Sequence, residues 1–215
     1  MSNLDPALHA YLVELMSEPE TATQGVELAL VAAGAKPAWL WELVGERELP
    51  PCSVPQVFYE KLAEKLRTAG WHVRYEHVDR PISLGVGCLM ALIPARARPA
   101  IHYDAIFAAP TAAPVDELVA AYLFARPKVT REGEIRLGAA LGYPPIATRT
   151  GGAHLTSLED DCEQFDGLWI CGFVEGPAGR AEAQEYLSRW DRALRAEFPE
   201  AWPRPAADTQ STTRP

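Results

Sequence analysis

The chain has 215 residues, 48% of them hydrophobic and 23% charged, enough apolar material for one sizeable core, which excludes a chain too polar to fold. Its 29 acidic and 20 basic side chains leave a net charge of −9, which disfavours nucleic acid and anionic membrane surfaces as partners. The longest largely apolar runs, 26–33 with Glu27 inside it and 86–93, fall short of the roughly 20 residues a membrane span needs, and a beginning that carries Asp5 and Glu14 without a basic leader predicts a cytoplasmic protein.

In chain order, Leu4, Leu8, Tyr11, Leu12, Leu15 and Met16 recur at helical spacing, with Asn3 as the expected N-cap and Pro6 in the first turn. Residues 24–33 are apolar on nearly all sides and end at Gly34, and the Trp-rich stretch 37–44 is read as a further short turn of helix. The proline-rich stretch 45–55 is a loop. Ser53 and Gln56 resemble a capping box, and Phe58, Leu62 and Leu66 line one face of the helix that Gly70 stops.

Trp71, Val73 and Tyr75 alternate with polar residues, the period of a strand with one face buried. The runs 84–93 and 100–108 are expected to pair as a hairpin, with a further strand at 168–175. Between them Val115, Leu118, Val119, Tyr122 and Leu123 mark a helix ended by Pro127, and Thr130 caps a second helix running to Leu141. The last helix, 179–198, aligns Tyr186, Leu187, Trp190, Leu194 and Phe198, with Asp191 and Arg195 spaced as an i,i+4 pair.

These elements predict an α+β fold, with one mostly antiparallel sheet of about four strands packed against helices. The expected organisation is an N-terminal helical segment at 1–45, an α+β core domain at 46–202 and a disordered, proline-rich tail at 203–215.

Phosphate-cradling, nucleophile-elbow, zincin and cysteine-rich zinc signatures are all missing from the sequence. Gly85 and Gly87 are followed by Met90 where a dinucleotide loop needs its third glycine. The most suggestive tripeptide is His102, Tyr103 and Asp104, because strand alternation sends His102 and Asp104 to one face. With a distant histidine such as His154, this pair forms a set of ligands for a divalent metal with coordination positions left for substrate.

His77 and Asp79 repeat the same spacing, which shows that the pattern arises by accident in a chain with five histidines, and a core histidine is the plainer reading of His102. Glu159, Asp160 and Asp161 read as a solvated acidic loop, and the four cysteines, without a CxxC pair, as reduced thiols. Trp39 and Trp41 flank Leu40, so on a helix only one of them would face inward.

Residues Arg131 through Pro144 resemble a segment of an uncharacterised prokaryotic family in which a helix ends in Leu-Gly-Tyr-Pro and a cysteine pair follows. Leu141, Gly142, Tyr143 and Pro144 match, while Ile146 and Ala147 stand in place of the cysteines. The resemblance implies a related helix-and-turn arrangement without thiol chemistry, and no activity.

Two functions of different class follow. One is a small cytoplasmic enzyme acting on a small molecule, metal-dependent through the His-x-Asp pair, with His102 and Asp104 catalytic and His102, Asp104 and His154 binding a divalent metal. The other is a non-catalytic acidic partner-binding protein of the immunity or antitoxin kind, its charge steering it to a basic target.

Overall fold

The computed structural model of the chain describes residues 4–19, 21–45, 56–81, 100–127, 130–145, 162–165, 168–171 and 176–202. Along them run α1 (Pro6–Ser17), α2 (Ala22–Ala32), β1 (Trp39–Gly45), α3 (Gln56–Thr68), β2 (His72–Pro81) and β3 (Ala100–Ala109), followed by α4 (Ala112–Ala125), α5 (Arg131–Ala140), β4 (Cys162–Phe165), β5 (Leu168–Cys171) and α6 (Gly176–Glu197).

Helix α1 is capped by Asp5, whose Oδ1 accepts from the backbone N–H groups of Ala7 at 2.9 Å and Leu8 at 3.0 Å; the expected cap, Asn3, lies outside the described residues. Its buried stripe is Leu8, Leu12, Leu15 and Met16. Helix α2 approaches it so closely at Gly25 that a Cβ there would stand 2.6 Å from the Met16 nitrogen, which is why a residue poor for helices sits inside one.

The stretch read as a turn of helix after Pro37 is strand β1 instead. Trp39 and Trp41 are two apart, and on a strand that spacing puts both on one face. Both are buried, with their rings edge to face at 6.0 Å. A helix would have turned one of them toward solvent, so burial of two large aromatics favours the extended form.

Strand β3 is central, with β1 antiparallel on one edge and β2 antiparallel on the other. The run 84–93, expected to pair with it, lies outside the described residues. The fold is α+β as expected, but the count of about four strands in one sheet is corrected. Among the described residues the main sheet has three strands, and β5 pairs with β4 in a separate two-stranded ladder.

Helices flank both faces of the three-stranded sheet. On one face Trp39 Nε1–H donates to Gln24 Oε1 of α2 at 3.0 Å, and Arg67 of α3 lies 5.5 Å from the Tyr75 ring centre. On the other, Phe107 meets Tyr122 of α4 at 5.1 Å and Arg74 donates to Asp116 at 2.9 Å. Arg126, just after α4, joins Glu42 of β1 to Glu134 of α5.

Helix α5 is capped by Thr130, as expected, and ends in a left-handed turn at Gly142 with φ +76°. There Tyr143 N–H bonds to the Gly138 carbonyl and Gly142 N–H to that of Ala139, the paired bonds of a glycine-terminated helix. Helix α6 buries Leu187, Trp190 and Leu194, and Phe198 beyond its end stacks on His9 of α1 at 4.8 Å. No helix among the described residues is long and apolar enough to cross a membrane.

Candidate functional site

One face of the sheet changes character along its length. Its first rows are Trp39, Ala108 and Val73, then Trp41, Ile106 and Tyr75, set side by side by the register, with α2 against Trp39 and α3 beside Tyr75, which stays about half exposed. The next row holds Leu43, Asp104 and His77, and the last holds Gly45, His102 and Asp79. Antiparallel partners share a face and alternate residues return to it. His77, Asp79, His102 and Asp104 are therefore four neighbouring positions on one side of β2 and β3.

Asp79 and His102 are placed by backbone register alone. The side chains of the other two are in direct contact: His77 Nδ1–H donates to Asp104 Oδ1 at 2.7 Å. The His77 side chain is 53% exposed and that of Asp104 65%, so the pair lies open to solvent. At that exposure the bond contributes at most about 1 kcal/mol to stability.

A neutral imidazole that donates from Nδ1 carries its lone pair on Nε2, the arrangement by which a carboxylate orients a metal-ligating histidine. Gly45, opposite His102, adds no side chain to the last row. Partners directly across strands have Cβ atoms about 5 Å apart and diagonal neighbours lie about 7–8 Å apart.

Of the residues nominated from the sequence, His102 and Asp104 share this face of β3, and His154 lies outside the described residues, as do Glu159, Asp160, Asp161, Gly85 and Gly87. Among the described side chains no three His, Cys, Asp or Glu groups converge on a point. The face reaches four such residues only with the register positions of Asp79 and His102. Sequence reading missed His77 as a member because it took the recurrence of His-x-Asp as a sign that the pattern is accidental. Two matching tripeptides on consecutive strands were the available signal.

A second polar cluster is closed rather than open. Lys36 Nζ donates to Glu27 and stands 4.4 Å from the Tyr143 ring centre and 5.0 Å from that of Trp190. Burial alone would lower its pKa, but the Glu27 carboxylate and Tyr143 outweigh burial and raise it, so the ammonium stays charged. It ties α2 to the Leu-Gly-Tyr-Pro turn and to α6, and its side chain has no exposed surface, so it braces the fold and does not meet solute. A groove of about 460 Å³ between α1 and α3 is lined by Tyr11, Lys61, Glu64 and Lys65 among others, but carries no acid and base in contact with a nucleophile.

No family model, curated protein or solved structure matches the chain.

Proposed function

We propose that the chain is a small-molecule enzyme whose centre is a divalent metal on the open face of β2 and β3. His77 and His102 serve as its nitrogen ligands, and Asp79 and Asp104 supply carboxylates that ligate or orient. The observation that carries this reading is the His77–Asp104 hydrogen bond across the strands, with a second His and Asp as the next register partners.

Two imidazoles and a carboxylate leave coordination positions for substrate and water. A metal held there would supply Lewis-acid chemistry, polarising an oxygen donor and acidifying a bound water, and whichever of Asp79 and Asp104 is not a ligand would be placed to accept a proton. The exposure of His77 and Asp104 suits hydrolytic or hydration chemistry on a polar substrate better than oxygen activation, which needs water kept out.

The test is titration of metal-stripped protein with Zn²⁺ and Co²⁺, followed by calorimetry and by the Co²⁺ absorption spectrum. One equivalent should bind, with affinity reduced roughly 10- to 100-fold by Asp104→Asn, which removes an orienting carboxylate, and by more than that by His77→Ala or His102→Ala, which remove nitrogen ligands. His154→Ala, run beside them, reports whether that histidine adds to the set. Failure of the protein to bind either ion, or binding indifferent to the His77 and His102 variants, would overturn the proposal.

A further inference from the structure

Cys162 and Cys171 are register partners, directly opposite each other in the β4–β5 ladder. The sequence reading takes all four cysteines as reduced thiols with no pair placed to bridge, and the register brings this pair together instead. Phe165 and Leu168 are also partners and enclose only Asp166 and Gly167.

Directly opposed residues of an antiparallel ladder have Cα atoms about 4.5–5.5 Å apart, whichever kind of pair they form, inside the roughly 4.4–6.8 Å span that a disulfide bridges. The cysteines also form the outermost pair of the ladder, where a covalent tie holds together two strands too short to be stable alone.

We propose that Cys162 and Cys171 are a redox modification site, which a small-molecule disulfide of the glutathione class converts to a cross-strand disulfide. The thiolate of one cysteine attacks the reagent and forms a mixed disulfide, releasing one equivalent of small thiolate. The second cysteine, as thiolate, attacks the protein sulfur of that mixed disulfide, and the second equivalent leaves. The protein pair loses two protons and two electrons, and the reagent disulfide is reduced to two thiols. Because β4 and β5 both contact α6, the bridge fixes the hairpin that packs on the C-terminal helix. The site is separate from the β2–β3 face and does not depend on the metal reading.

The experiment equilibrates the full-length protein with graded ratios of oxidised to reduced glutathione, alkylates the remaining thiols and maps the tryptic peptides without reduction. One tryptic peptide, 150–180, carries Cys162 and Cys171 and neither Cys52 nor Cys88. It should become about 2 Da lighter and refractory to alkylation as the ratio rises, returning on treatment with dithiothreitol. In Cys171→Ser the same treatment should instead leave a glutathione adduct on Cys162. A wild-type peptide that keeps two alkyl groups at every ratio, or that stops at glutathione adducts, would overturn the proposal.

Discussion

Lys36 and Glu27 form an ion pair inside the molecule in which the two partners differ in access to water. The Lys36 side chain is wholly enclosed beneath the Tyr143 and Trp190 rings, while Glu27 keeps about a quarter of its surface open. The two residues therefore respond differently to replacement. Glu27→Gln leaves a buried ammonium without its counter-charge and should destabilise by about 2 kcal/mol, below the 3–5 of a fully enclosed pair. Lys36→Met removes the charge and keeps the volume, so it should cost less. Urea unfolding of both variants checks the order, and a larger loss for Lys36→Met would contradict it.

The same pair sets an alkaline limit. Because the Lys36 pKa is raised on folding, its contribution is complete below the unfolded value near 10.4 and is lost as pH rises through the folded one. The stability difference between wild type and Lys36→Met should be flat from pH 7 to 9 and shift against the wild type above about pH 10.4. A difference that does not change across that window would mean that the charge contributes nothing.

Gly142 sits at φ +76°, and a Cβ there would lie 2.5 Å from Pro37 Cδ. Gly142→Ala meets both obstacles, and a side chain in the left-handed region alone costs about 1–2 kcal/mol. Pairing it with Pro37→Ala should recover only the steric part. Thermal melts of the two single variants and the double variant separate these contributions.

Asp191 accepts from Trp202 Nε1–H at 2.8 Å and from Arg195 Nε–H at 2.8 and 3.0 Å. Burial alone would raise its pKa, but Arg195 and Trp202 outweigh burial and hold it below the ordinary carboxylate value. Its contribution is present above the unfolded pKa near 3.9 and is lost as pH falls through the folded one. Trp202→Phe should therefore lower stability at neutral pH and weaken its decline below about pH 4. Trp202→Ala, at a residue 1% exposed, should cost about 3–5 kcal/mol in urea unfolding.

Arg126 reaches Glu42 on β1 and Glu134 on α5 at once, with two nitrogens on Glu42. Lysine keeps the charge but not the planar fork. Arg126→Lys should thus lose about 1 kcal/mol, because one ammonium cannot reproduce those contacts. Circular dichroism during denaturant titration is the measurement, and an unchanged midpoint would reduce the guanidinium to a surface charge.

What the sequence determined is what neighbours along the chain decide. The apolar stripes of α1 and α6, the Thr130 cap, the stop at Gly142 and the alternation of β2 are local consequences of backbone geometry and side-chain spacing. His102 and Asp104 were legible on one face for the same reason. Tertiary structure alone decided the rest. Trp39 and Trp41 lie in an apolar run whose period suits helix or strand, and only a sheet offering two inward positions made it a strand. His77 meets Asp104, and Cys162 faces Cys171, because register is chosen by the summed burial of whole strands and not by the residues that happen to face each other.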